Sequence, residues 1–357
     1  MIDGTFVVDA VSHGLHFARD NQVAPRSYSD GVGSHEYRRI HQSLSPRGRP
    51  EWLLDEDRWL HGADPEMLAH CLFAESWTDF TVYHGVPQYG VFRDGGSPLW
   101  VGVEMRAALP GRVALYGPVS PFAPDAVDQV DRLVDEHGVV GVKFYPVDLV
   151  QGRVESFRMD DPERLYPVYE RCRARGVKVV AVHKAIPLGR FPAAPYRVED
   201  VEAAAATFPD LVFEVVHGGS AFVEETRLLL ARFPNVVVNL EGTSAYLNNA
   251  PRKFAHVIGA FLGDYGTEDR IVWATGTSAL HPQPLLEAFW DLKMPEDLLE
   301  YGCAPLTREV KEKILGRNAL QMLGLDIDEL RARTAGDRFS STELAAPWSG
   351  GPLAVGR

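Results

Sequence analysis

The sequence predicts an α/β protein of the (β/α)8 TIM-barrel class, with a long lid loop after the first strand and an extra C-terminal helix. Three observations predict it. Hydrophobic strand segments alternate with helical segments through eight units. The strands are continuous apolar runs, such as Val179-Val180-Ala181-Val182 and Val236-Val237-Val238, as expected of strands covered on both faces. No Gly-x-Gly-x-x-Gly follows a strand, so the competing doubly wound dinucleotide-binding sheet lacks its fingerprint.

Thr5 to Ala10 reads as the first strand. The stretch from Val11 to Asp64 is rich in Ser, Gly, Pro, Arg and His, without clear periodicity, and reads as a lid or binding loop. Asp64 caps a helix that begins at Pro65. The strands then expected are Phe80–Tyr83, Val113–Tyr116, Val139–Phe144, Val177–Val182, Leu211–Val216, Val236–Leu240 and Ile271–Ala274. Between and after them come helices at Leu99–Leu109, Asp125–His137, Pro162–Arg175, Val198–Thr207, Ala221–Phe233, Arg252–Leu262 and Pro284–Asp291. Turn signals such as Phe208-Pro209-Asp210 and Phe233-Pro234-Asn235 punctuate the alternation. Thr307 to Leu323 reads as an extra helix packed outside the barrel. Beyond Thr334 the Gly/Ser/Ala/Pro-rich tail reads as an extended or partly disordered arm. One barrel domain over 1–325, with 11–64 as its lid, and an extension over 326–357 is the expected organisation.

The 357 residues, 45% of them hydrophobic, suffice for one large core. A formal net charge of −13 argues against nucleic acid or an anionic membrane as the main partner. The three cysteines are far apart and form no Cys-x-x-Cys pair, so neither a disulfide framework nor a thiolate metal site is expected. The N-terminal residues lack the pattern of a secretory signal, and no run of about twenty apolar residues occurs. A soluble cytoplasmic protein is expected, with a homo-oligomer left open.

Barrel enzymes place their sites at the C-terminal ends of the strands. Of the twelve histidines, His13, His84, His183, His217 and His281 fall just beyond strand ends, and Glu241 ends the seventh strand. Imidazole and carboxylate together suit zinc, iron or manganese, and a mixed His/Glu set with open positions suits iron. Taken singly, each histidine can equally be a hydrogen-bonded structural residue. His61, in the lid, is a candidate to close over the site. Glu104 sits in the apolar segment Trp100-Val101-Gly102-Val103-Glu104-Met105, where a buried carboxylate needs a metal or a partner. Its alternative is the solvent face of an amphipathic helix. Lys143, Tyr145 and Lys184 stand at strand ends, and the two lysines suit orienting an anion or supporting a ligand carboxylate. Arg38, Arg39, Arg47 and Arg49 form the densest basic patch, fit for the phosphates of a coenzyme A-type substrate or for an ordinary solvated loop.

These residues resemble the amidohydrolase superfamily in its decarboxylase-like branch, through Asp9-x-x-x-His13, His183, His217-Gly218-Gly219 and Ala231 to Val236. Two positions depart from that pattern. The usual His-x-His start has Val11 at its first place, and Gly276 stands where the strand-8 turn usually carries an Asp that binds metal and acts as general base. A smaller branch fits better, on Asp9 to His13, Gly141 to Pro146, His183 to Gly189 and His281 to Phe289. These stretches resemble the TIM-barrel non-haem diiron monooxygenases, a branch associated with diterpenoid antibiotic biosynthesis. The resemblance implies two iron ions, O2, an external electron donor or reductase, and a coenzyme A-linked, diterpenoid substrate hydroxylated at an unactivated C–H bond. On strand-end position, His13, His183, His217 and Glu241 are the expected ligands, joined by Glu104 from its apolar helical segment, with His61, His84 and His281 completing or supporting the shell. A metal-dependent hydrolase or decarboxylase with another general base is the alternative, and a degenerate barrel that only binds a ligand is a third.

Overall fold

The computed structural model describes residues 1–23, 37–264, 266–341 and 343–350, and leaves the His61 side chain outside the described set. The chain runs through β1 (Val8–Ser12), β2 (Phe80–His84), β3 (Val113–Pro118) and β4 (Gly141–Phe144). It then makes a hairpin, β5 (Val147–Val150) with β6 (Arg153–Ser156), and continues through β7 (Val179–His183), β8 (Val212–Val216), β9 (Val236–Asn239) and β10 (Ile271–Val272). Apart from the hairpin, the strands form one eight-stranded parallel sheet in the order β1-β2-β3-β4-β7-β8-β9-β10. The ends of the sheet meet. The Ala10 amide donates to Trp273 O at 2.9 Å, that of Gly276 to Val11 O at 3.0 Å, and that of Ser278 to His13 O at 3.1 Å, which closes a TIM barrel.

Several expectations shift. The first strand begins three residues later than expected, because Thr5 is taken up in a tight turn with Ile2. The hairpin was not foreseen: its first strand includes Asp148 among apolar residues, and its second is solvent-facing. The lid is not structureless. It carries the helices Arg38–Leu44 and Glu56–His61, the second capped by the Asp55 carboxylate. The segment expected outside the barrel, Thr307 to Leu323, is helical from Arg308 and instead plugs its lower end. Ala319, Leu320 and, further on, Leu330 pack into the barrel's interior cluster, and the Trp273 amide donates to Ile314 O at 3.0 Å. An open barrel floor would leave Phe6, Val8 and Phe80 facing water, and the plug removes that apolar surface. The tail is described as far as Gly350, and Trp348 lies in a core cluster.

TIM-barrel interiors are usually filled by branched aliphatic residues. Here the lower layer follows that rule, with Val8, Val82, Val179, Val237 and Val272. Two residues further along the strands, the same inward direction carries His84, Lys143 and Asn239, alongside Tyr116 and Glu214. All five are buried, and alanines 10, 181 and 274 leave them room. Among the described residues no helix is long and apolar enough to cross a membrane.

Candidate metal centre

The upper rim gathers four of the expected ligands. His13 follows β1, His183 ends β7, His217 follows β8 and Glu241 follows β9; all are buried. Each imidazole is oriented by a backbone carbonyl. His13 Nδ1 is 3.0 Å from His84 O, His217 Nδ1 is 3.1 Å from Glu241 O, and His183 Nε2 is 2.7 Å from Ile186 O. A carbonyl accepts only, so those nitrogens carry the proton, and the opposite ones (His13 Nε2, His217 Nε2, His183 Nδ1) offer lone pairs.

The free nitrogens face Glu241 or one another. His13 Nε2 is 3.4 Å from Glu241 Oε1, and His217 Nε2 is 3.7 Å from Oε2. His217 Nε2 is also 2.9 Å from His183 Nδ1. Two lone pairs at that distance repel unless a cation or proton lies between them. Among the described residues no three rim donors lie within 4.8 Å of one another. The donors therefore run as a string, His13–Glu241–His217–His183, with the two carboxylate oxygens turned toward different histidines.

Burial strongly opposes the charge on Glu241, yet His217 and His13, with Lys143 behind them, hold its carboxyl well below the usual carboxylate range. His217 is pushed down to about 4 by burial, against the opposing pull of Glu241. His183 and His84 are also driven down, chiefly by burial, so these rings are neutral near pH 7, the form that binds metal. Burial lowers Lys143 to about 8, opposed by Glu241 and Glu214. Burial likewise raises Asp9 and Glu214 each to about 7.

The donor set fits a metal. Both ring nitrogens of His84, Lys143 Nζ, Tyr116 Oη, Glu214 Oε2 and Glu241 Oε2 are buried without a hydrogen bond of good geometry. Leaving so many polar atoms unmatched is costly, and a buried anion beside the neutral imidazole of His217 calls for a cation. Gly276 supplies the space. A β-carbon there would lie 2.6 Å from Glu241 Oε1, so the carboxylate from β9 fills the position where a strand-8 side chain would project.

The remaining candidates separate. His84 stacks on Tyr116 at 4.4 Å and meets His13 edge-on at 6.1 Å, directly beneath the rim. Tyr145 lies 4.4 Å from the His183 ring, and Lys143 Nζ sits 5.5 Å from the Tyr145 ring. Glu104 is not with them. Its helix, Leu99–Ala108, turns Val101, Gly102 and Met105 inward and leaves Glu104 exposed. Lys184 is also elsewhere: it is buried in an ion pair with Asp200 at 2.8 Å and donates to Pro195 O at 2.9 Å. That clamp shapes the turn whose Ile186 carbonyl orients His183. His281 begins the helix Pro282–Asp291 and pairs with Glu75 at 2.9 Å, packed against Trp52 and Trp348. The His61 side chain lies outside the described residues.

Among the arginines, Arg38 is paired with Glu56 at 2.7 Å and Arg49 with Glu51 at 2.8 Å, while Arg39 and Arg47 are exposed. Sequence reasoning missed Glu214 and Tyr116. A glutamate inside the apolar run Val212-Phe213-Glu214-Val215-Val216 was the available signal. It also missed a second cluster, Cys71, Glu75 and His281, whose donor atoms lie within 4.8 Å of one another. The carboxylate there is already saturated by N–H and O–H donors, so it serves as a hydrogen-bond hub.

Known proteins place this architecture. An uncharacterised TIM-barrel protein from Bordetella bronchiseptica superposes with a TM-score of 0.60 at 20% identity, covering 89% of this chain and 98% of its own. A 5-carboxyvanillate decarboxylase from Novosphingobium aromaticivorans, in complex with manganese and a nitrobenzoic acid, gives 0.54 at 15%, covering 90% and 97%. A 4-oxalomesaconate hydratase from Rhodopseudomonas palustris gives 0.50 at 14%, covering 93% and 99%. No curated protein matches the chain. The amidohydrolase family model matches residues 61–325, a span that holds every barrel strand but the first and every rim donor but His13, and the chain belongs to that family.

Proposed function

We propose that this protein is a metal-dependent enzyme whose rim would hold a pair of first-row divalent ions through His13, His183, His217 and Glu241. His13 and one carboxylate oxygen would serve one ion, and His217, His183 and the other oxygen the second. The observation that carries this reading is the string of donors, with the two oxygens of one buried carboxylate each nearest a different histidine. A mixed imidazole–carboxylate set without thiolate suits iron or manganese.

Within that frame we read the protein as an O2-dependent non-haem diiron monooxygenase that hydroxylates an unactivated C–H bond. Two irons, when bound, would supply the reductive activation of O2, with electrons from a separate donor. What the chain's own residues do is bind, orient and exclude water. Lys143, beneath the rim, balances the charge of Glu241. Tyr145 covers His183. A roof that includes Leu15, Phe17, Trp59, Phe92 and Leu188 presents an apolar ceiling. Such a ceiling suits a hydrocarbon skeleton, and the glycine at 276 itself offers no side chain to take a proton from water.

The comparisons weigh toward the second reading, a metal-dependent decarboxylase or hydratase, since those are the named activities of the structural neighbours. In that case His84 or Lys143 would move the proton. A cleft of about 550 Å3 with Arg47 and Arg49 on its wall is a candidate place for a coenzyme A handle. Glu287 and Asp291 also line it, so its charge does not single out a polyphosphate.

Elemental analysis and oxygen uptake separate the readings. Two irons per chain after anaerobic reconstitution, with O2 consumption by the reduced protein, support the first. One manganese or zinc per chain and no O2 uptake would refute it in favour of the second.

A further inference from the structure

The tail of the chain is tied to the lid. Glu75, wholly buried after the helix Pro65–Phe73, accepts the amides of Trp348 at 2.7 Å, Ser349 at 2.7 Å and Gly350 at 3.2 Å. It also accepts the Ser349 hydroxyl at 3.1 Å and stands 2.9 Å from ring nitrogens of both His70 and His281. A carboxylate out of water with that many donors is a charge-assisted anchor. Upstream, the Ala345 amide donates to Ala74 O at 2.8 Å.

The same residues reach the lid from the other side. Arg58, on the lid helix Glu56–His61, donates to the carbonyls of both Trp348 and Gly350. The Trp348 ring lies 5.9 Å from His41, on the lid helix Arg38–Leu44, and 5.0 Å from His281. His41 in turn bonds Ala279 O, just past the strand-8 turn, at 2.8 Å, and accepts the Leu54 amide at 2.8 Å. Trp348 therefore belongs to the apolar roof that also contains Tyr145, Leu54 and Trp59. Its backbone is left-handed, with φ +54°, a conformation a bulky residue keeps only when its surroundings hold it there. At Gly350 the approach is so close that a β-carbon would lie 2.5 Å from that of His70.

We propose that residues 345–350 are a strap that holds the lid shut over the histidine–glutamate rim, and that release of this strap from Glu75 opens the rim to metal and substrate. The strap is independent of which reaction the rim performs. Only one of its readouts, metal release, rests on the metal-centre reading.

Hydrogen exchange on the unmodified protein gives the first test. The amides of Trp348 and Ser349 on the strap and of Leu54 on the lid should exchange with a common rate of opening. Leu54 protected tenfold longer than the strap amides would overturn the proposal. The second test uses Trp348→Ala and a chain ending at Ser341. With cobalt bound, both should lose metal to a chelator at least tenfold faster than the unmodified chain, and trypsin should cut faster at Arg47 or Arg58. Unchanged chelation and cleavage rates overturn the strap. If the unmodified chain retains no cobalt, the metal reading fails while exchange and proteolysis still decide the strap. If the shortened chain does not fold, Trp348→Ala and the exchange measurement decide it.

Discussion

Replacing Gly276 by alanine tests the rim at its tightest point. The new β-carbon would sit 2.6 Å from Glu241 Oε1 and 3.0 Å from its Cγ, on a backbone with φ +71°. Two separable costs follow. The left-handed backbone costs a non-glycine residue about 1–2 kcal/mol, which lowers the unfolding midpoint of the metal-free protein by about 1–3 °C, since ~2.1 cal/mol/K per residue over 357 residues makes 1 kcal/mol worth roughly 1.3 °C. The contact itself forces Oε1 to retreat by roughly 0.8 Å to reach ordinary van der Waals separation. His13 Nε2, now 3.4 Å from that oxygen, would lose the facing donor. Disturbing groups that merely orient metal ligands costs ~10–100-fold in affinity, and a displaced ligand should cost at least as much. Calorimetric titration with cobalt or manganese measures the affinity, and thermal unfolding of the metal-free protein measures the backbone term. A variant that loses its few degrees yet binds metal with unmodified affinity would refute Glu241 as a ligand.

Three further outcomes are expected. Asp9 titrates near 7 in the folded chain, from an ordinary 3.8, chiefly through burial; the stability it contributes is full below pH 3.8 and is lost as pH rises through about 7. Asp9→Asn should flatten that slope, worth up to ~4 kcal/mol at 1.36 kcal/mol per unit, in denaturant unfolding of the metal-free protein between pH 4 and 8; an unchanged slope counts against it. Lys184→Met leaves Asp200 buried without its cation and should destabilise by ~3–5 kcal/mol, with Asp200→Asn in the same background recovering part of the loss by chemical denaturation. Glu104→Ala should leave stability within ~0.5 kcal/mol and metal content unchanged; a lost metal would return Glu104 to the rim.

The barrel was legible because a parallel strand covered on both faces writes itself as an uninterrupted apolar run. Strand β1 was blurred because Thr5, Phe6 and Val7 are apolar enough to read as strand while Ile2 and Thr5 close a turn. The rim histidines were legible from their place after the strands. Glu104 was not. At about 100° per residue, it falls off the face formed by Val101, Gly102 and Met105, although all its sequence neighbours are apolar. Gly102, on the buried face, is small because the Tyr83 ring presses on it, with a β-carbon there only 2.3 Å from Cδ1. His281 shared the rim's spacing but begins a helix, and its partner Glu75 is 206 positions away in the chain. Lys184 adjoins a rim histidine, and strand alternation sends it to the opposite side, where Asp200 waits.

The charged interior and the empty place at Gly276 have one physical origin. Reaching from the end of β9 into the space left at Gly276, Glu241 sits over a barrel layer that would ordinarily be aliphatic. A buried anion there needs positive charge from below as well as from the rim, and Lys143 supplies it. That lysine is itself too deep to stay charged unaided, and Glu214 opposes the loss of its proton. Tyr116 and Asn239 then complete the polar layer, with Asn239 donating to Glu214 and accepting the Glu241 amide at 2.9 Å. On this argument Lys143→Met should lower metal affinity only modestly while raising the Glu241 carboxyl toward the ordinary range. Lys143→Met combined with Glu214→Gln should recover stability, because each change removes the other's unmatched charge. A double variant no more stable than Lys143→Met alone, measured by denaturant unfolding, would break the link between the polar layer and the Glu241 carboxylate.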